Sequence, residues 1–407
     1  MEKKKIFISI HYMELGGAEI SLIGLLQAID YSHYDIDLFI HSHRGELLNY
    51  IPKEVNLLPE IVEYTQIECP MKSTLINGFW RILYGRIKAK WLHHKFLKKT
   101  KKQESAAGLL YIAKCVSPYL PSLYQFGEYD LAISFLTPHN FVLDKVLAKK
   151  KICWIHTDYS KININVDEEL PIWNTYDNII SISPDVTRSF LHVFPTLKKK
   201  IIEMENILSP DFVRNRAEEF DAHLELASKE KESIVLLSIG RFSRQKNFSN
   251  IPDICHRINS IIKVHNSKLN VRWFIIGYGG EEQLIRRKIQ ESKMEDYVFI
   301  LGKRSNPYPY INACDIYVQP SLYEGKSVSV REAQMLYKPV VVTDYPTAKC
   351  QIKDGKDGLI VPLDNDGCAR GIVEFIANIS LREKIKKYLQ IHDYGNVMEI
   401  EKLYQLI

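Results

Sequence analysis

The sequence predicts an α/β chain built from two doubly wound, Rossmann-like parallel sheets, and three observations carry that expectation. Short apolar, β-branched runs alternate with amphipathic helical stretches from one end to the other, as parallel strands joined by crossover helices require. Each half opens with a strand that runs into glycine-bearing or basic turn residues and then a helix. A length of 407 residues is too great for one ordinary core and suits two domains of roughly 150–200 residues.

Strands are expected in the first domain at 6–10, 36–40, 131–135, 151–155 and 179–182. Five more are expected in the second, at 234–239, 272–276, 298–301, 316–318 and 340–343. Between the two sets, 217–232 reads as a polar, acidic helical stretch before a fresh strand. The expected division is therefore a first domain over 1–205, a second over 206–385, and a C-terminal helix, 386–407, that could pack back on the first.

Composition excludes several classes. Hydrophobic residues at 46% with 25% charged belong to a globular chain rather than a disordered one. The net charge of +5 is mild, and no nucleic-acid-binding motif accompanies it. Seven cysteines stand singly with no C-x-x-C pair, as free thiols of a reducing compartment do. The apolar run after Lys3-Lys4-Lys5 reaches His11 too soon for a signal peptide and reads as a first strand. The expected location is cytoplasmic, peripheral at most on the inner face of the membrane.

One segment differs from the rest. From Pro70 to Gln103 there is no Asp or Glu, and ten Lys and Arg residues fall within 72–102. At helical spacing Trp80, Leu83, Tyr84, Ile87 and Trp91 share an arc of about 100°, an apolar stripe in a basic surround. That arrangement suits contact with an anionic bilayer. Ile82 and Leu92 fall off the stripe, and a core-packing helix with a solvated basic face accounts for the same residues.

Three sites carry chemistry. Gly16-Gly17-Ala18-Glu19 follows the first strand and opens an apolar helix, where close backbone approach and unpaired N–H groups favour an anion. It is not the G-x-G-x-x-G fingerprint of dinucleotide binding. Gly240-Arg241, with Lys246 shortly after, follows the first strand of the second half and sets a fork donor and a point charge together, as a diphosphate leaving group needs. The run from Ser321 to Ala333 holds two carboxylates, Glu324 in a loop and Glu332 inside the following helix. The N–H groups of Gly325, Lys326, Ser327 and Val328 lie at that helix start, where phosphate binds.

Glu324 and Glu332, with seven residues between them, resemble the E-x7-E motif of the family-4 retaining glycosyltransferases. The other signals stand in the same order as theirs: Gly16-Gly17-Ala18-Glu19, Gly240-Arg241 with Lys246, Gly277-Tyr278-Gly279-Gly280, and Asp357-Gly358-Leu359-Ile360-Val361. The resemblance implies a GT-B fold, two Rossmann-like domains facing across a cleft. It implies transfer of a sugar from a nucleotide diphosphate, most often UDP, to a glycan or lipid-linked acceptor of bacterial surface polysaccharide. By resemblance Gly16 and Gly17 approach the donor phosphates, and Arg241 and Lys246 bind the diphosphate. Glu324 meets the transferred sugar beside the main chain of Gly325 to Val328, Glu332 binds the ribose, and backbone near Arg304 holds the base. His156, at the end of a strand, resembles the histidine placed beside the donor sugar, with Asp158 facing the acceptor.

Lys326 and Ser327 depart from the apolar residue and Gly or Pro that many members carry after Glu-Gly, so donor identity is not transferred with the motif. No cofactor or metal is expected, because Arg and Lys neutralise the leaving group. Asp35-Ile36-Asp37 and Asp364-Asn365-Asp366 mimic a metal-binding D-x-D and are read as structural. The competing readings are a catalytically silent sugar-nucleotide sensor or scaffold and a same-fold nucleotide-sugar epimerase.

Overall fold

The computed structural model describes residues 3–14, 16–100, 105–226, 233–265, 269–324 and 327–407. The chain divides into two compact units, one of Met1–Ser209 with Asn396–Ile407 and one of Pro210–Gly395.

The first unit holds a seven-stranded sheet of β1 (Lys4–Ile10), β2 (Tyr34–Ile40), β3 (Asn56–Leu57), β4 (Glu128–Ser134), β5 (Leu147–Ile155), β6 (Asn178–Ser181) and β7 (Ile201–Glu203), in the order β3-β2-β1-β4-β5-β6-β7. Every pairing is parallel. All five strands expected here are present. β3 and β7 were not expected, because two or three residues at a sheet edge leave no readable period. Helices cover both faces, so the central strands are apolar without alternation: Ile6, Phe7, Ile8 and Ile10 are buried throughout.

The second unit is a six-stranded parallel sheet of β8 (Ser233–Ile239), β9 (Asn270–Ile276), β10 (Val298–Gly302), β11 (Ile316–Gln319), β12 (Val340–Thr343) and β13 (Leu359–Val361), in the order β10-β9-β8-β11-β12-β13. Its core joins Leu236, Trp273 and Ile316 to the helices Ile251–His265 and Asn365–Ala377. The helix at the junction is Pro210–Ala217, upstream of the expected 217–232 stretch, followed by one short turn, His223–Leu226. Residues 227–232 lie outside the described residues.

In both sheets the strand order reverses beside the first strand, between β1 and β4 and between β8 and β11. Ligands of open α/β sheets bind at such points, outside the carboxyl ends of the strands.

The C-terminal segment belongs to both units in turn. The helix Ile379–Gln390 buries Ile385 and Leu389 in the second core. Residues 396–407 pack on the first unit, with Leu403 fully buried, Tyr404 stacked on Tyr34 at 4.5 Å, and the Asn396 side chain bonded to Leu208 N and Asn206 O.

Among its described residues the basic segment forms a short helix, Met71–Ile76, and then a long one, Trp80–Thr100. Its buried face is Ile82, Gly85 and Ala89, and a Cβ on Gly85 would stand 2.6 Å from Cys115 O, so the helix lies close against its neighbour, Ala107–Val116. Ile82 and the half-buried Leu92, off the stripe, are thus the residues that dock it. Trp80, Tyr84, Ile87 and Trp91 are left between 53% and 64% exposed. Arg86 is spent internally, donating to Gln66 O, Thr74 Oγ1 and Cys69 O. Lys101 and Lys102 lie outside the described residues, and no helix among those described is long and apolar enough to cross a membrane.

The aspartates that mimic a metal motif have structural partners. Asp37 accepts from Tyr129 and Asn56, both at 2.6 Å, and Asp364 caps the helix Asn365–Ala377 through Gly367 N at 2.8 Å.

Candidate functional site

In the second unit, β8 ends at Ile239 and β11 at Gln319, side by side in the sheet. The loops that follow them bring together two residues 78 positions apart in the chain. Lys246 Nζ donates to Glu324 Oε1 at 2.7 Å, with side-chain exposures of 17% and 6%. Ser321 Oγ donates to the same oxygen at 2.5 Å, and Gln319 Nε2 stands 3.5 Å from it. Gln245 Nε2 reaches Oε2 at 3.4 Å, and Thr347 Oγ1 holds the Glu324 carbonyl at 2.7 Å. A buried carboxylate requires this many donors, because each lost hydration partner must be replaced. Gly240 makes the crossing possible: a Cβ there would meet the Lys246 stem at 3.1–3.2 Å.

Beside this pair Arg241 is exposed and makes no ion pair among the described residues, which leaves its guanidinium free for an anion. The two turns are bound by backbone contacts. Phe242 N donates to Tyr278 O, and Gly277 N to Gly302 O. Gly277 and Gly279 sit at φ +151° and +152°, and a Cβ on either would collide with the main chain of residues 240–242.

The helix Val328–Met335 begins next to Glu324. Gly325 and Lys326 lie outside the described residues. The amide of Ser327, expected to hold phosphate, is already taken: it donates to Gln351 Oε1 at 3.0 Å while Gln351 Nε2 returns a bond to Ser327 O. Val328 is the first residue with a helix-start amide left to offer. Four residues on, Glu332 is buried at 7% exposure and accepts from Tyr308 OH at 2.8 Å. Burial pushes its carboxyl up to about 6, against the pull of the Tyr308 hydroxyl and the Arg216 charge. Arg304 follows β10, where its guanidinium pairs with Glu225 and stands over the Tyr310 ring.

In the first unit, Gly16 precedes the helix Gly17–Ala28. The Glu19 carboxylate folds against it, 2.1 Å from where a Gly16 Cβ would be. The start of that helix therefore already faces a carboxylate, while Gly17 is open. His156 directly follows β5, half-buried, its ring 4.8 Å from that of Phe135. Burial lowers it to about 4, so it is neutral. Asp158 turns to its own loop and caps Ser160 through N at 3.0 Å and Oγ at 2.7 Å.

Gln245 and Ser321 stand inside the two motif runs, where no role was read for them, and Gln319, Thr347, Gln351 and Tyr308 were not singled out in the sequence. The pairing of β11 with β8 and β12 brings Gln245 and Thr347, distant in the chain, to Glu324.

Residues 220–391 match the family model described as glycosyl transferases group 1. An uncharacterized glycosyltransferase of Methanocaldococcus jannaschii is 25% identical over 272 residues, 63% of this chain and 62% of that one. An N-acetylgalactosaminyltransferase of Campylobacter jejuni, named for a diacetylbacillosaminyl-diphospho-undecaprenol acceptor, is 27% identical over 164 residues, 40% of this chain and 42% of its own. The matches thus span less than two thirds of these relatives' lengths. HepE of Anabaena, solved with UDP, superposes with a TM-score of 0.60 at 14% identity over 99% of this chain and 98% of its own. The fold is GT-B.

Removing Lys246 should strand the Glu324 carboxylate. Lys246→Met is expected to cost about 3 kcal/mol of unfolding free energy. Adding Glu324→Gln should recover most of that loss, as read by denaturant melts. Glu332 has its own pH signature. Its folded value of about 6 lies above the ordinary 4.5, so its contribution is most favourable below pH 4.5, falls as pH rises to about 6, and then stays low. The loss is on the order of 2 kcal/mol. Glu332→Gln should therefore melt higher than wild type at pH 7.5 and not at pH 4.5.

Proposed function

We propose that this chain, whose second unit is a group 1 glycosyl transferase domain, moves a sugar from a nucleotide diphosphate to a lipid-linked glycan acceptor with retention of anomeric configuration. The observation that carries the reading is the buried Glu324–Lys246 pair at the adjoining carboxyl ends of β8 and β11, flanked by the unpaired Arg241 and the helix start at Val328. In this reading the diphosphate lies on Arg241, Lys246 and the Val328 amide. Lys246 is satisfied by Glu324 in the free protein and shares its protons with phosphate once the donor arrives. As the sugar–oxygen bond breaks, charge gathers on the leaving diphosphate and the two cations neutralise it, so no metal is needed. Glu324 accepts from the sugar hydroxyls, and Glu332 takes the ribose diol. The acceptor falls to the first unit, with His156 as a neutral hydrogen-bonding group. UDP is the nucleotide carried by the HepE structure, and a diphospho-undecaprenol acceptor is named for the Campylobacter relative; both are adopted for this chain as proposals.

A lipid-linked acceptor calls for a membrane surface, and the exposed aromatic stripe of Trp80–Thr100 suits one. On the helical wheel Lys88 and Lys95 flank the stripe on one side and Lys90 on the other, with Lys98 in line with it. All four are exposed, and Lys95 Nζ lies 5.4 Å over the Trp91 ring. Aromatic bodies in the interface with lysines reaching anionic headgroups is the geometry of a helix lying on a bilayer. The protein is then cytoplasmic and peripheral on the inner face.

Calorimetry with UDP, GDP, ADP and CMP should show saturable binding of UDP that weakens at least tenfold in Arg241→Ala; binding of none of the four would defeat the donor assignment. In flotation with phosphatidylglycerol vesicles, the quadruple Lys88, Lys95, Lys98 and Lys99→Glu variant is expected to stay at the bottom of the gradient. Flotation equal to that of wild type would remove the membrane from this account.

A further inference from the structure

Beyond β11 the chain leaves the sheet. Residues 320–324 and Ser327 belong to no helix or strand, yet this run brings Glu324 to Lys246 at 2.7 Å. A loop past the end of a strand loses the ladder that fixed its neighbours, and its buried carbonyls need other donors. Here the donors come from a single stretch of chain, from Thr343 at the end of β12 to Gln351 at the end of the short helix Ala348–Gln351.

Thr343 Oγ1 donates to Ser321 O at 2.5 Å, Thr347 Oγ1 to Glu324 O at 2.7 Å and Gln351 Nε2 to Ser327 O at 2.6 Å. The donors recur every four residues, at 343, 347 and 351, and the acceptors every three, at 321, 324 and 327. The two stretches are thus joined by three rungs, in the shared direction that β11 and β12 already have as parallel neighbours. Gln351 closes the last rung twice, because its Oε1 accepts from Ser327 N at 3.0 Å and is reached by Tyr345 OH at 3.4 Å. From the loop after β8, Gln245 O accepts from Leu322 N at 2.9 Å.

The rungs are shielded from water. Thr343, Ser321 and Ser327 are buried, and Thr347 and Gln351 are half-buried, so these bonds meet little competition from solvent. Two of the three donors are threonines, whose branched Cβ restricts χ1 and so aims the hydroxyl. The middle rung falls on Glu324 itself. Thr347 holds the carbonyl of the very residue whose carboxylate accepts from Lys246 and Ser321. The last rung falls on Ser327, whose carbonyl also accepts from Arg331 N at 3.4 Å, so it sets where the helix Val328–Met335 begins.

We infer that Thr343, Thr347 and Gln351 are positioning residues, a side-chain ladder that carries the alignment of β11 and β12 past the sheet and into the loop of Glu324. The inference rests on the glycosyltransferase reading and adds to it residues that act through others. Thr347 fixes Glu324 for the transferred sugar, and Gln351 fixes the helix start at Val328 for the diphosphate. A displacement of about 1 Å at such groups costs on the order of a hundredfold in rate. The two rungs therefore fail in different ways. Loss of the Thr347 hydroxyl spoils the sugar contact and spares the nucleotide, whereas loss of the Gln351 amide weakens the nucleotide as well.

The test uses the full chain, calorimetry with UDP, and release of UDP from UDP-glucose, UDP-galactose, UDP-N-acetylglucosamine and UDP-N-acetylgalactosamine without added acceptor. Thr347→Val removes one hydroxyl and keeps the shape. It should lower kcat for the best of the four donors at least tenfold, while the Kd of UDP stays within twofold of wild type. Thr347→Ser, which returns the hydroxyl, should recover the rate to within about fivefold. Gln351→Met should weaken UDP itself at least fivefold. Hydrogen exchange read by mass spectrometry needs no donor. Peptides spanning 320–328 should exchange at least tenfold faster in Thr347→Val and in Gln351→Met, with those of β8 unchanged. The inference is overturned by an unchanged kcat in Thr347→Val, or by a fall in kcat matched by an equal fall in UDP affinity. Failure of Thr347→Ser to restore the rate, or exchange at 320–328 equal to wild type, overturns it too. Binding of no UDP by wild type would instead defeat the donor assignment, and faster exchange confined to 320–328 would still support the ladder.

Discussion

A parallel sheet covered by helices on both faces has no wet surface of its own. In each unit the strands are apolar on both sides, so any group that must meet water or a substrate is driven to the loops at the ends. Of the two ends, only the carboxyl edge offers helix N-termini, with their unpaired N–H groups, beside strands that diverge in order. Arg241, Lys246 and Glu324 stand there after β8 and β11, Gly16 after β1, and His139 and His156 after β4 and β5.

Within that constraint the second unit solves a problem of storage. A carboxylate and a lysine would each be costly to bury alone. Placed 2.7 Å apart they hold one another, and Ser321 and the two glutamines complete the shell. Both groups are thus held in a nearly dry position with partners. Arg241, left at the surface, is the opposite case: a charge that costs nothing to keep in water and is available to the first anion that arrives.

The first unit treats its polar groups differently. His139, His156 and Asn140 each keep one buried polar atom with no hydrogen bond among the described residues, and the walls around them include indole, phenol and aliphatic carbon. The helix Trp80–Thr100 carries exposed lysines on its outer face, away from its docking face of Ile82, Gly85 and Ala89.

Much of this was legible in one dimension. Ten strands announced themselves as β-branched runs between turn residues, and the order of five short motifs pointed to Glu324, Glu332, Arg241 and Lys246, because glycine turns and helix starts are local in sequence. The stripe of Trp80, Leu83, Tyr84, Ile87 and Trp91 was equally legible as a period; that all of it but the half-buried Leu83 is exposed depended on Gly85 admitting the neighbouring helix to the opposite face. What the chain alone could not disclose were the partnerships made by strand order. Lys246 clasping Glu324, Gln351 occupying the Ser327 amide and Glu19 lying against Gly16 all join residues whose separation in sequence is arbitrary. Local propensity and spacing determine which elements form and which turns can hold an anion. Only the register and order of the sheets decide which distant side chains meet, and so which charges pair.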